Sequence, residues 1–191
     1  MNLPNILTIL RTIMAPLVFL AVYTGGKWLI PGLFMFIVGA ATDWMDGYFA
    51  RRHKTVTGFG QFADPVADKL LSGFALATVA ATEYAAVWPV VGIITRDVLV
   101  TSFRFWGLSK KKKILPSKAA KAKTAVEMLS IIGIMGYIAF GGTVEGFWLG
   151  TASLILVFVL AWATAIDYFW KNRELLFGEP TVIDDRPDQQ L

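Results

Sequence analysis

Residues 43–68 read DWMDGYFARRHKTVTGFGQFADPVAD, and the rest of the chain is organised around them. The stretch holds Asp43, Asp46, Asp64 and Asp68 between two long apolar runs. Asp43, Asp46, Gly47 and Ala50 fall at i, i+3, i+4 and i+7, so on a helix they share one face. Asp64 and Asp68 fall at i and i+4, again one face of one helix. Two helices are therefore expected to offer two carboxylates each to a common point.

Composition sets the class. The chain has 191 residues, is 55% hydrophobic, and gathers its apolar residues in long runs, the pattern of an integral membrane protein. The absence of cysteine excludes disulfides, thiolate nucleophiles and Cys-based metal sites. A single histidine, His53, excludes any mechanism that needs two, including phosphohistidine chemistry of the phospholipase D kind. His53 itself is expected to be a solvated loop residue.

Outward from residues 43–68, the pattern gives an all-α, polytopic membrane protein with six transmembrane helices in one bundle. After the amphipathic opening MNLPNILTILR, a first helix is expected over roughly Thr12 to Tyr23, uncleaved, with Pro16 as a kink. The second runs from about Trp28 to Phe49 and the third from about Ala63 to Thr82, with Pro65 tolerated in the first turn. RRHKTVTGFG is a basic loop between them. A TEYAAVW link leads to a fourth helix, about Pro89 to Gly107, and the basic loop SKKKKILPSKAAKAK leads to a fifth, about Thr124 to Phe140. GGTVEG is a tight turn before a sixth, about Phe147 to Trp170. Residues 1–170 form one membrane domain, and 171–191 are expected to be a polar tail.

An even number of spans puts both termini on one side. That side carries the RRHK cluster, the run Lys110–Lys113, Lys118, Lys121, Lys123, Lys171, Arg173 and Arg186, whereas the opposite loops carry only Lys27. The positive-inside rule then places both termini and the aspartate stretch in the cytoplasm. Lys110–Lys113 are read as topology determinants attracted to anionic lipid.

Four carboxylates at these spacings have a physical cost. A charge at the bilayer centre costs about 2.5–3.5 kcal/mol on insertion scales, less at a helix end, and like charges on facing helices repel unless a cation intervenes. Hard divalent cations accept such oxygen ligands, with magnesium or manganese favoured. Solvated helix-end aspartates are the plain alternative, but few basic residues share these faces to pair them. Gly47 and Gly60 suit either close helix packing or a ligand lying against the backbone.

The pattern Asp43-x-x-Asp46-Gly47-x-x-Ala50-Arg51, eight residues, Gly60, three, Asp64, three, Asp68 resembles the signature of the CDP-alcohol phosphatidyltransferases at all eight positions. With the six-helix outline, the resemblance covers nearly all the chain except the tail. It implies attack by an alcohol on the phosphorus next to diacylglycerol in CDP-diacylglycerol, with CMP leaving. It implies two divalent cations, Mg2+ or Mn2+, on Asp43, Asp46 and Asp64, with Asp68 near or in the metal shell and as the base. Gly47, Ala50, Arg51 and Gly60 would line the cytidine diphosphate site, and Asn5, Thr8 and Arg11 would meet the nucleotide or lipid headgroup. A homodimer in the cell (inner) membrane is also implied, among membrane lipids, with the active site facing the cytoplasm and no nucleic-acid partner.

The acceptor has to be read elsewhere. Arg96 lies inside the fourth helix, where an arginine is ordinarily partnered or functional. Asp97 is expected to point elsewhere around that helix, so it is no obvious partner for Arg96. The stretches NLPNILTILR, FGQFADPVADK, ITRDVLVTSFR and SKAAKAKT are similar to those members whose acceptor is glycerol 3-phosphate. Carried over, Arg96, Arg104, Ser117, Lys121 and Lys123 are the acceptor-phosphate candidates. The chain departs from that subgroup at Asp97, usually Glu, and at Glu127, commonly Gln. The competing acceptors are inositol phosphate and, as in cardiolipin synthesis, phosphatidylglycerol. A cation transporter is the competing class, but it would favour midplane carboxylates and repeated halves, and neither is present.

Overall fold

The computed structural model describes residues 3–53, 58–110 and 118–173, with side chains at 6–42, 66–110 and 119–173. Among the described residues every regular element is helical. The long helices are α1 (Leu3–Thr24), α2 (Leu29–His53), α3 (Gly58–Ala80), α4 (Val87–Ser109), α5 (Lys118–Ala139) and α6 (Phe147–Lys171). Single 3₁₀ turns at Gly26–Trp28 and Val144–Gly146 precede α2 and α6.

The helices extend past the apolar runs that announce them. α1 begins at Leu3, α3 at Gly58 and α5 at Lys118, each about one turn or more before its apolar run, and α2 continues to His53. The expected loop RRHKTVTGFG shrinks accordingly: Arg51, Arg52 and His53 are helical, and so are Gly58, Phe59 and Gly60, leaving 54–57 outside the described residues. His53 is thus the last residue of a helix rather than a loop residue. Apolarity marks where a helix meets lipid, whereas helix propensity decides where it ends. The Ala- and Lys-rich start of α5, KAAKAK, consists of strong helix formers.

Two reversals show why glycine stands where it does. Gly141 takes φ +83° at the end of α5. Gly142 N–H donates to Tyr137 O at 2.8 Å and Gly141 N–H to Ile138 O at 3.2 Å, a Schellman closure that satisfies carbonyls of the last turn. Between α1 and α2, Gly25 and Gly26 both have positive φ, +71° and +55°.

The bundle has two halves. α1 packs along α2 and α3, while α6 packs along α4 and α5, and contacts of α2 with α5 and of α3 with α4 and α5 join them. On α1 the buried stripe is Thr8, Arg11, Ala15, Val18 and Val22, spaced by three and four residues as one helix face requires. It meets a core that includes Leu33, Phe36, Leu71, Ala75 and Ile131. A smaller cluster, Val100, Phe103, Ala165 and Tyr168, seals α4 to α6.

Among the described residues, three stretches are long and apolar enough to cross a bilayer: Ile6–Thr24, Ala119–Ala139 and Val144–Lys171. The described part of the second segment, Gly26–Thr42, is apolar, and α2 continues beyond it to His53. α4 carries Arg96 and Asp97 in its middle, and Asp97 meets Lys69 of α3 across the helix interface. The outer faces are apolar: Leu17, Leu20, Val159 and Ile166 are all exposed. Exposed tryptophans mark both ends, with Trp28, Trp88 and Trp148 where α2, α4 and α6 begin, and Trp106 and Trp170 where α4 and α6 finish. Apolar belts between aromatic girdles are the surface of a membrane protein.

Close packing is testable at Gly150, where a Cβ would sit 2.3 Å from the carbonyl oxygen of Tyr84. Gly150→Ala is expected to destabilise the bundle by about 1–3 kcal/mol, because the obstacle is backbone. Gly133→Ala, with nothing within 4 Å, should leave the unfolding midpoint in detergent unchanged or higher.

Candidate active site

α2 carries Asp43, Asp46, Gly47, Ala50 and Arg51 in its last three turns, and α3 carries Gly60, Asp64 and Asp68 in its first half. The two helices contact each other, and the motif is divided between them. The side chains of Asn5, Asp43, Asp46, Ala50, Arg51 and Asp64, and the surroundings of Gly47 and Gly60, lie outside the described residues. Ser117 lies outside them altogether, as do 174–191 of the tail. Of the motif's side chains, Asp68 is described, 20% exposed, with Lys69 Nζ 3.8 Å from its Oδ2.

From Asp68 a buried polar layer runs across four helices. Lys69 Nζ donates to Asp97 Oδ2 on α4 at 2.9 Å. Asp97 Oδ1 accepts from Lys123 Nζ on α5 at 2.9 Å and from Arg96 Nη1 at 2.8 Å. Lys123 also donates to Glu127 Oε2, one turn along α5, at 2.8 Å, and both side chains are 1% exposed. Arg96 reaches α6 as well, giving Nε to the carbonyl of Ala161 at 2.9 Å and Nη2 to Thr164 Oγ1 at 2.8 Å. Thr164 Oγ1 in turn lies within reach of the Leu160 and Ala161 carbonyls.

This geometry corrects one expectation. Asp97 does partner Arg96. A helical wheel separates the Cα–Cβ directions of adjacent residues, but an arginine stem is long enough to bring its guanidinium back over its neighbour's carboxylate. Of Arg96's five N–H groups three are thereby engaged within the protein. Lys123 is likewise held by two carboxylates. The other acceptor candidates are placed differently. Arg104 is half-buried, with Nε buried and without a hydrogen-bond partner among the described residues. Lys121 is exposed on the opposite face of α5 from Lys123. On α1, Thr8 and Arg11 are buried on the stripe that meets α2 and α3.

Sequence reasoning missed Lys69, Glu127 and Thr164 as members of the layer. A Lys–Glu pair at i, i+4 on one helix was a readable signal for Glu127. No local signal reports a pair such as Lys69–Asp97, separated by 28 residues. Lys69 and Asp97 also make the polar corner of an otherwise apolar cleft of about 430 Å³ between α3 and α4, walled by Leu70, Gly73, Ile94 and Val98.

Among the described residues no three carboxylate or imidazole side chains gather as a metal-binding set, and of the four motif aspartates only the side chain of Asp68 is described. Carboxylates are the oxygen donors that a hard divalent cation takes.

Comparison with known proteins bears on the whole chain. Residues 1–169 match the CDP-alcohol phosphatidyltransferase family. The chain belongs to this family. A relative from Sodalis glossinidius, named CDP-diacylglycerol–glycerol-3-phosphate 3-phosphatidyltransferase, is 34% identical over 184 residues, 93% of this chain and 98% of its own. Relatives of the same name from Yersinia enterocolitica and Pectobacterium atrosepticum are also 34% identical, over 184 and 175 residues, and cover 92% and 87% of this chain and 93% and 92% of their own. For a CDP-alcohol phosphatidyltransferase the eight motif positions thus divide five to α2 and three to α3, with the buried polar layer beginning one residue beyond the last aspartate.

Breaking a buried ion pair by removing one partner strands a charge, so Lys123→Ala is expected to cost about 3–5 kcal/mol. The exposed i, i+4 pair Lys171–Asp167 offers the control: Lys171→Ala should change stability by no more than about 0.5 kcal/mol. Denaturant titration of the two variants in the same detergent compares them directly.

Proposed function

We propose that the protein transfers a phosphatidyl group from CDP-diacylglycerol to glycerol 3-phosphate, giving phosphatidylglycerophosphate and CMP. The observation that carries this reading is the complete eight-position motif across α2 and α3, in a chain whose relatives of that name match it over nearly their full length. The acceptor hydroxyl oxygen forms the new bond to the phosphorus next to diacylglycerol, the bond from that phosphorus to CMP breaks, and Asp68 takes the hydroxyl proton. Asp43, Asp46 and Asp64, with Asp68 beside them, would hold two divalent cations, Mg2+ or Mn2+. When bound, these neutralise charge on the attacking and leaving oxygens. Arg51 binds phosphate bidentately, and Gly47, Ala50 and Gly60 let the cytidine diphosphate lie against the helices. Asn5, Thr8 and Arg11 complete the donor side from α1.

The acceptor phosphate is assigned to Arg104, Lys121 and Ser117. Arg104 is supported by its buried Nε, which has no partner among the described residues. Arg96 and Lys123 belong to the same site in another capacity. Their donors are turned to Asp97, Glu127, Ala161 and Thr164, so they supply positive potential and rigidity from behind.

All six long helices span the membrane in this reading. At 22–25 residues each is about 33–37 Å long at 1.5 Å per residue, enough for a hydrocarbon core of about 30 Å. The aromatic girdles and the one-sided distribution of Lys and Arg support a reading with both termini, the aspartate motif and the polar tail beyond residue 170 on the cytoplasmic face of the cell (inner) membrane. A homodimer surrounded by membrane lipids completes the assembly.

Purified protein given CDP-diacylglycerol and a panel of alcohols is expected to release CMP preferentially with glycerol 3-phosphate. Preference for a neutral alcohol or for inositol phosphate would reject the acceptor. Asp68→Asn should lower turnover by about 10²–10⁴-fold, and near-normal turnover would remove Asp68 as base. The cysteine-free background makes topology directly measurable. In intact cells a membrane-impermeant maleimide should label Lys27→Cys, and it should label Ser109→Cys only after permeabilisation.

A further inference from the structure

Two buried donors beyond the ionic layer have no partner among the described residues: the hydroxyl of Tyr168 on α6 and Nε of Arg104 on α4. Tyr168 as a whole is 6% exposed. A buried phenol ordinarily finds a partner for its O–H, so an unpaired one calls for an explanation.

The register of the two helices brings these donors to one level. Arg96 of α4 gives Nε to the carbonyl of Ala161 on α6, and Phe103 meets Tyr168 edge-on at 5.8 Å. Both pairs are 65 residues apart, so α4 and α6 run parallel, and Arg104, next after Phe103, stands level with the end of α6 that carries Tyr168. Arg104 also follows Asp97 by seven residues, which puts it on the helix face that Asp97 turns to Lys69 and Lys123. Tyr168 follows Thr164 by four and Ala161 by seven, on the face of α6 that receives Arg96. Its ring is held edge-on by Phe103 and by Phe169 at 6.1 Å. The phenol is thus fixed in place, one turn beyond the layer, with its hydroxyl uncommitted.

Unpaired donors on both helices fit a ligand that supplies acceptor oxygens, and a guanidinium among them favours a negative one. A phosphate has both properties. We propose that Tyr168 is a specificity-determining residue of the transfer reaction, its hydroxyl donating to the phosphate of the acceptor alcohol beside the Arg104 guanidinium. The inference rests on the reading of Arg104 as part of the acceptor-phosphate site. It adds a neutral donor from α6, the one long helix with no ligand contact assigned to it. The donors of Arg96 and Lys123 are engaged by protein oxygens, whereas this hydroxyl is free to bind.

The test compares Tyr168→Phe with the parent as purified full-length protein. The variant keeps the ring and its packing, so its unfolding midpoint in detergent is expected to be unchanged or higher. Its KM for glycerol 3-phosphate is expected to rise about tenfold or more, the effect of losing one hydrogen bond to a charged group, while its KM for CDP-diacylglycerol stays within about twofold. Inorganic phosphate, competing with glycerol 3-phosphate, should inhibit the parent about ten times more strongly than the variant. An unchanged KM for glycerol 3-phosphate, or equal inhibition of the two proteins by phosphate, would overturn the proposal. So would equal losses toward both substrates with a lower midpoint, because the hydroxyl would then serve the fold alone. Arg104→Gln separates the inference from its foundation. If that variant keeps the parent's KM for glycerol 3-phosphate, the reading of Arg104 fails and the inference falls with it. If it raises that KM while Tyr168→Phe does not, the inference alone fails.

Discussion

The carboxylate of Asp97 is the constraint on which the bundle turns. It receives Lys69 from α3, Lys123 from α5 and Arg96 from its own helix, and Arg96 carries the connection on to α6. Burying any one of these charges alone would be strongly unfavourable, so the layer exists as a whole or not at all. Among the described residues three cations, Lys69, Arg96 and Lys123, face the carboxylates of Asp68, Asp97 and Glu127. An apolar layer of similar volume would hold the helices together at least as well. What the ionic layer adds is register, since a slide of one turn in α3, α4 or α5 would break several charge-assisted bonds at once.

The apolar clusters lie on either side of this layer. Ile93 belongs to the main core, one turn before Arg96, and Val100 and Phe103 begin the smaller α4–α6 cluster one turn after. In the smaller cluster the Phe103 ring meets Tyr168 edge-on at 5.8 Å and Phe169 at 5.0 Å. The aromatic packing closes α4 against α6 beyond the layer. α4 is therefore apolar, ionic and aromatic in successive turns.

The legible part of the sequence was the part whose signal is local. Six long helices, the helical setting of Asp43 and Asp46 on α2 and of Asp64 and Asp68 on α3, and the glycine-closed turn at 141–142 all follow from patterns within a few residues. Helix ends were misjudged because Lys118–Lys123 and Arg51–His53 are polar yet helical: hydropathy reports the solvent around a helix, not the hydrogen bonds inside it. The ionic layer was illegible for a different reason. Its key pairs join residues 26 and 28 apart in the chain, and the one adjacent pair, Arg96–Asp97, defeats a rule built on Cβ directions. The proposed roles of Arg96 and Lys123 changed accordingly, from groups that grip a ligand to groups gripped by the protein.

The two halves of the bundle also divide the proposed chemistry. The motif for the nucleotide-linked donor belongs to α2 and α3, braced by α1, and the basic side chains assigned to the acceptor belong to α4 and α5, braced by α6. Transfer requires the donor phosphorus and the acceptor hydroxyl to meet within bonding distance, so the halves must be held at a fixed separation close to the reacting groups. Packing of α2 on α5 and of α3 on α4 and α5 supplies contact, but apolar surfaces tolerate small slides. Lys69 is adjacent in sequence to the last aspartate of the motif, and Asp97 is adjacent to Arg96 on the acceptor side. The 2.9 Å bond between them ties the two half-sites together directly, with one residue on either side to spare. The short stem of Asp97 sets how far α3 must approach α4 for the bond to form.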